Sequence, residues 1–141
     1  MQIDTLPQAE AAQPLLHAAG LPCDDVFSRP DLTLFGIQQH GQWLAVAGIE
    51  RHGHDGLLRS VATAPAAQGQ GLASHLLQHA EQWARHQGMT SLYLLTTSAA
   101  PYFARHGYQP QVREQAPQAI RHSKQFAGLC PASATLMHKT L

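Results

Sequence analysis

The sequence predicts an α/β domain built on a mixed sheet, and three observations carry that prediction. From Leu57 to Gly107 the apolar pattern runs strand, helix, strand, helix, the order of a crossover unit whose strands are parallel. Ahead of it, two apolar runs flank His40-Gly41, the two-residue, glycine-containing connection of an antiparallel hairpin. The 141 residues show no composition break, so one domain with one core and one ligand cleft is expected.

Taken in order, a first helix is expected between Gln8 and Ala19, either kinked at Pro14 or starting near it, because an interior proline lacks the backbone donor. Leu32–Gln39 and Gln42–Glu50 form the hairpin strands. Leu57–Thr63 is a short apolar strand stopped at Pro65. Leu72, Ala73, Leu76, Leu77, Ala80, Trp83 and Ala84 recur at spacings of three and four, which puts one apolar stripe on a helix that Gly88 ends. Leu92–Thr97 is the next strand, and Ala99–His106, with Gly107 behind it, a shorter helix. Gln109–Gln115 reads as a strand, Pro117–Leu129 as a short helix plus loop, and Ala134–Leu141 as the closing strand.

Composition narrows the function. Lys plus Arg equals Asp plus Glu at 9 each, and only 13% of residues are charged, so the footprint of a nucleic-acid or anionic-membrane binder is missing. Apolar residues make up 44% without any run near the ~18 needed to span a membrane. Met1-Gln2-Ile3-Asp4-Thr5 lacks the basic and apolar regions of an export signal, so a cytoplasmic location is expected. Cys23 and Cys130 are too few for a disulfide framework and suit a reducing compartment.

The most chemical segment is the turn before the long helix. Gly69 and Gly71 let the backbone approach a ligand closely, and the unpaired N–H groups of the helix start favour an anion. The loop has no Lys or Arg, so a phosphate there would be held by oriented amides and the helix dipole. The plainer alternative is a tight turn. No Gly-Lys-Ser/Thr follows, which excludes a Walker motif, and Ser74 stands where the dinucleotide fingerprint needs its third glycine.

The stretch Val61-Ala62-Thr63-Ala64-Pro65-Ala66-Ala67-Gln68-Gly69-Gln70-Gly71-Leu72-Ala73 resembles the acetyl-CoA motif of the GNAT acetyltransferase superfamily, in which a strand ending in V-x-x-x-P precedes Q/R-x-x-G-x-G/A. Gln68, Gly71 and Ala73 match its informative positions. The resemblance implies the GNAT fold, a mixed central sheet of about six or seven strands with helices on both faces. It implies acetyl-CoA as co-substrate and no metal, with pyrophosphate bound by the amides of Gln68, Gly69, Gln70, Gly71, Leu72 and Ala73 and pantetheine pairing with Val61, Ala62 and Thr63. Leu58-Arg59-Ser60-Val61-Ala62, Leu92–Thr97, Tyr102–Tyr108 and Leu129–Ala134 are similar, within that superfamily, to the arsenic-resistance N-acetyltransferases.

Direct transfer to an amine needs a neutral amine, a polarised thioester carbonyl and a proton for the departing thiolate. Glu50, at the end of the hairpin strand, is the best-placed carboxylate for the first task, acting directly or through water; an exposed strand-end charge is the alternative. A backbone N–H near Val61 or Ala62 would serve the carbonyl. Many GNAT enzymes carry the proton-donating tyrosine four residues before the glycine behind the short helix, but here that position is Phe103. Either Tyr102 substitutes, or solvent does, or catalysis rests on positioning alone. Arg59, a guanidinium in an apolar strand, should meet an internal carboxylate or face a polar cleft, where it suits an acceptor carboxylate. Thr96 and Arg121 join it as acceptor-binding candidates, with Ser123 and Lys124 weaker ones on the connection to the last strand.

Ten histidines invite a metal site. His75, His79 and His86 share one helix face and His52-x-His54 makes a loop pair, yet no Cys or carboxylate accompanies them at ligand spacing, so a solvated face is expected. The expected activity is acetyl transfer to a small, amino-acid-like amine, with an arsenic- or phosphorus-containing analogue as the acceptor the family resemblance suggests. Rival functions are a non-catalytic CoA-binding module and a His/Cys metal or metalloid binder. The sequence leaves monomer or homodimer open.

Overall fold

The computed structural model describes residues 2–21, 31–123 and 133–141. Its sheet has seven strands: β1 Ile3–Thr5, β2 Leu32–Gln39, β3 Gln42–His52, β4 Asp55–Thr63, β5 Ser91–Thr96, β6 Gln109–Gln111 and β7 Thr135–Thr140. They lie in the order β1-β2-β3-β4-β5-β7-β6, all neighbours antiparallel except β4 and β5. The helices are α1 Gln13–Ala18, α2 Leu72–His86, α3 Ala100–Arg105 and α4 Gln118–Arg121.

The first hairpin turns at His40 and Gly41, both left-handed with φ 52° and 77°, the backbone twist that a two-residue connection requires. Pro14 sits in the first turn of α1, where its missing N–H costs nothing, and a 3-10 turn over Ala9–Ala12 precedes it. The sheet separates two apolar layers. Phe35, Ala47, Ile49 and Leu58 pack with Leu76, Leu77 and Ala80 of α2 and Phe103 of α3 on one face. Leu34, Val46 and Ala62 pack with Leu15 and Leu16 of α1 on the other, and Leu57, Tyr93 and Leu136 with Ile120 of α4.

β4 changes face along its length. Val46 pairs with Ala62 and Gly48 with Arg59, so one residue of β3, Ala47, opposes two of β4, Ser60 and Val61, a bulge in which Ser60 is left-handed at φ 59°. Leu58 and Val61 consequently share the α2 face while Leu57 and Ala62 share the other, the parity slip of one inserted residue. β4 and β5 pair only over Asp55–Leu57 and Ser91–Tyr93. At that junction Gly56 sits where a Cβ would lie 2.7 Å from Leu92 and 2.9 Å from the Met89 sulfur. Beyond it the two parallel strands diverge.

Two segments differ from the sequence expectation. The strand foreseen over Gln109–Gln115 stops at Gln111, where Arg113–Gln115 forms a 3-10 turn and the Arg113 guanidinium donates to the Ala134 carbonyl at 2.8 Å. Pro110 confines what remains to the sheet edge. β1, three residues long, gave no periodic signal.

A buried brace ties α2 to the sheet. Tyr108 donates to Glu81 at 2.9 Å, and Lys139 donates to Glu81 at 3.0 Å and to the His106 carbonyl at 2.8 Å. Burial first, then the Glu81 carboxylate, push the Tyr108 hydroxyl far above its ordinary range. The folded state therefore holds this proton while an unfolded tyrosine releases it above pH ~10, so its stabilising contribution is complete below that pH and lost as pH rises. Tyr108→Phe is expected to cost about 1–2 kcal/mol at pH 7 and to flatten the alkaline loss. Urea unfolding at pH 7 and pH 10.5 checks this; a variant losing stability as steeply as wild type would contradict it.

Candidate active site

Where β4 and β5 diverge, a cleft of about 610 Å³ opens, lined by Arg59 and Val61–Thr63 from β4, Leu94–Thr96 from β5, and Tyr102 and Phe103 from α3. Its floor is the β4 edge left without a strand partner past Leu57 among the described residues. Gln68 and Ala73 close the end towards α2. Gln68 Nε2 donates to the Thr63 carbonyl at 3.4 Å, folding the loop back on the strand it leaves. Gly69 and Gly71 are both left-handed, at φ 81° and 77°, and a Cβ on either would meet nothing within 4 Å. Gly71 is the N-cap of α2, and no side chain caps that end. The cleft thus has an unpaired β4 edge on its floor and an open helix start at its end, which fits a thioester carrier with a diphosphate at its far end.

The cofactor-binding candidates divide by side chain. Val61, Ala62, Thr63, Gln68 and Ala73 line the cleft. Gly69 and Gly71 offer backbone alone. Leu72 buries its side chain in the core, and with the exposed Gln70 it borders a separate cavity of about 300 Å³ against Gln38 and Gln39.

Glu50 is not an exposed strand-end charge. β3 continues to His52, and Glu50 is paired on both sides, with Leu32 and Leu57, and fully buried. Arg59 Nη1 donates to Glu50 Oε1 at 3.0 Å, His52 Nε2 lies 2.7 Å from Oε2, and Arg59 Nε reaches Ser60 Oγ at 3.3 Å. Arg59 therefore meets the internal carboxylate and borders the cleft at once, while Glu50 stands behind it and does not line the cleft. His52 belongs to the end of β3 and not to a loop pair; its position two residues from Glu50 on one strand face was the signal that reveals it. His54 is in the turn, with Nδ1 3.2 Å from the Gly88 carbonyl.

Thr96 lines the cleft while its Oγ1 accepts from the Ala99 N–H at 3.0 Å, fixing the entry to α3. Tyr102 lines the cleft half-buried, its hydroxyl 3.0 Å from Ser74 Oγ, which is itself 3.2 Å from His106 Nε2. Arg121 is exposed at the end of α4 and does not line the cleft, and Ser123 is buried, donating to the Ile120 carbonyl at 2.7 Å. Lys124, Cys23 and Cys130 lie outside the described residues. The helix histidines do not act together: His79 packs edge-on against Phe35, while His75 and His86 are exposed. Among the described residues no three His, Cys, Asp or Glu side chains converge as a metal site would need, and no helix is long and apolar enough to cross a membrane.

A sheet splayed beside a glycine turn and a helix start is the architecture of an acyltransferase. Residues 3–108 match the Acetyltransferase (GNAT) family, and the chain belongs to that family. Among solved structures, N-acetylglutamate synthase from Neisseria gonorrhoeae, complexed with coenzyme A and N-acetyl-glutamate, is 18% identical with a TM-score of 0.74 over 100% of this chain. This chain spans about a third of that one, 35%. Rv2747 from Mycobacterium tuberculosis, in complex with CoA, is 15% identical at a TM-score of 0.81, covering 100% of this chain and 99% of its own. An acetyltransferase of the GNAT family from Staphylococcus aureus is 12% identical at 0.78, covering 99% of each chain. These likenesses are likenesses of fold.

Proposed function

We propose that the protein transfers the acetyl group of acetyl-CoA directly to the amine of a small, amino-acid-like acceptor. The observation that carries this is the cleft itself: past Leu57 β4 and β5 no longer pair, and beyond Thr63 the chain turns through Pro65–Ala67 to the open start of α2. Val61, Ala62 and Thr63 would pair with the pantetheine arm, and the N–H groups from Gly69 to Ala73 would hold the pyrophosphate. Acetyl-CoA, when bound, supplies the acetyl group as a thioester; a backbone N–H near Val61 or Ala62 polarises its carbonyl.

Arg59 is the acceptor's anchor in this scheme. Glu50, held in turn by His52, fixes the guanidinium at the cleft wall, where a carboxylate can meet it. Glu50, buried behind Arg59 with both carboxylate oxygens engaged, thus acts by positioning Arg59, and the amine proton leaves to solvent in the cleft. Thr96 shapes the same wall, and Arg121 would contribute long-range positive charge only. Tyr102 stands as proton donor to the leaving sulfur. An amino-acid acceptor agrees with the glutamate product held by the Neisseria synthase. The finer assignment, an arsenic- or phosphorus-containing amino-acid analogue handled in the cytoplasm, rests on the segments Leu92–Thr97 and Tyr102–Tyr108. Acetyl-CoA and a small amine are the partners, without nucleic acid or membrane; a homodimer is compatible with the fold.

The test is acceptor-dependent thiol release from acetyl-CoA across amino acids, their decarboxylated amines, and analogues with arsenic or phosphorus acid groups. Turnover should require the carboxylate, with kcat/KM at least 100-fold lower for the decarboxylated amines. Equal turnover of acids and amines would overturn the carboxylate assignment.

A further inference from the structure

Phe103, four residues before Gly107, has no proton to give, and Tyr102 lines the same cleft from the preceding position. A tyrosine that donates a proton is left as a phenolate and must be recharged before it can act again. Behind Tyr102 a hydrogen-bonded chain leaves the cleft: its hydroxyl is 3.0 Å from Ser74 Oγ, and Ser74 Oγ is 3.2 Å from His106 Nε2. Ser74 sits in the first turn of α2, and its hydroxyl spans to α3 and the residue behind it. His106 borders a second, open notch of about 230 Å³ with Gly71, Ser74, His75 and Gln78, so the far end of the chain reaches solvent.

We propose that His106, acting through Ser74, is the proton source that recharges Tyr102 during acetyl transfer, an inference that rests on the acetyl-transfer function proposed above. As the acceptor nitrogen bonds to the acetyl carbon, the C–S bond breaks and its electron pair goes to sulfur. Tyr102 gives its hydroxyl proton to that sulfur, Ser74 gives its own to the tyrosine oxygen, and His106, carrying a proton on both ring nitrogens, gives its Nε2 proton to the serine and is left neutral. Solvent in the notch reprotonates His106, and the proton shed by the acceptor nitrogen returns to solvent. The charged groups around the chain favour this direction. Arg105 lies with Cζ 5.9 Å from the Tyr102 ring centre, and Lys139, paired with Glu81, holds the His106 carbonyl. The Arg105 cation therefore lies nearest the ring that would carry transient negative charge, while Lys139 is paired with Glu81. His75 is the remaining titratable group on the notch, and the His106 ring lies 4.7 Å from that of Tyr102, tilted 49° to it.

Tyr102→Phe, Ser74→Ala and His106→Ala should each lower kcat at least tenfold while the acetyl-CoA KM stays within about twofold, and the triple variant should be no slower than Tyr102→Phe alone. Imidazole added to His106→Ala should restore most of the rate through the open notch and should do nothing for the other two. In the protein without ligand, the NMR signal of the His106 Nε2 nitrogen at a fixed pH should shift in Ser74→Ala, which removes its hydrogen-bond partner. A His106→Ala enzyme at wild-type rate, with Tyr102→Phe slow, would leave Tyr102 as donor and overturn the relay. So would a His106 Nε2 signal indifferent to Ser74→Ala together with failure of imidazole rescue. A wild-type protein that releases no thiol with any acceptor would sink the acetyl-transfer function, and the relay with it.

Discussion

Arg59→Met is expected to lower unfolding stability by about 3–5 kcal/mol, because it leaves the fully buried Glu50 carboxylate without its arginine. The same variant should lose acceptor turnover, costing on the order of 2–4 kcal/mol in kcat/KM for carboxylate acceptors, with acetyl-CoA affinity nearly unchanged. The two losses have different origins and can be separated. Replacing the pair together, Arg59→Met with Glu50→Leu, removes both buried charges and should recover most of the stability, since apolar substitutes for a buried pair are often neutral. It should not recover turnover of carboxylate acceptors. A double variant as stable as wild type and equally active on those acceptors would make Arg59 a strut and nothing more.

Gly71→Arg is expected to weaken acetyl-CoA binding at least 100-fold, on the order of 3 kcal/mol, by placing a side chain over the start of α2. The domain should stay folded. A Cβ at Gly71 meets nothing within 4 Å, so the cost is the left-handed backbone at φ 77°, about 1–2 kcal/mol. Gly88→Arg is the matched control. It stands just past the other end of α2, also left-handed at φ 88° and also uncrowded. The two variants should melt at similar temperatures, yet only Gly71→Arg should lose the ligand. Equal affinity in both would remove the loop from the binding site.

Much of this architecture was legible in the sequence because its signals are local. The His40-Gly41 turn, the apolar stripe of α2 and the glycines behind α2 and α3 each act within a few residues, and the observed bounds follow them closely. The glycine loop was legible for the same reason. What escaped depends on distant partners. Nothing local marks Ser60 as left-handed, because the bulge is imposed by its pairing across β3 and by the two apolar layers that β4 must serve. Glu50 looked like a strand end because the apolar run stops there, whereas the strand continues and a buried arginine nine residues on accounts for the charge. Ser74 and His106 lie 32 residues apart and meet only when α3 packs beside α2.

The central claim is that the cleft between β4 and β5, ending on α2, is built for acetyl-CoA. Calorimetric titration of the wild-type protein with acetyl-CoA tests it most directly. The geometry predicts one site per chain, absent from Gly71→Arg, and a substrate site of ordinary strength binds in the range of about 1 μM to 1 mM. No binding by wild type up to millimolar acetyl-CoA, or binding that Gly71→Arg leaves intact, would contradict it.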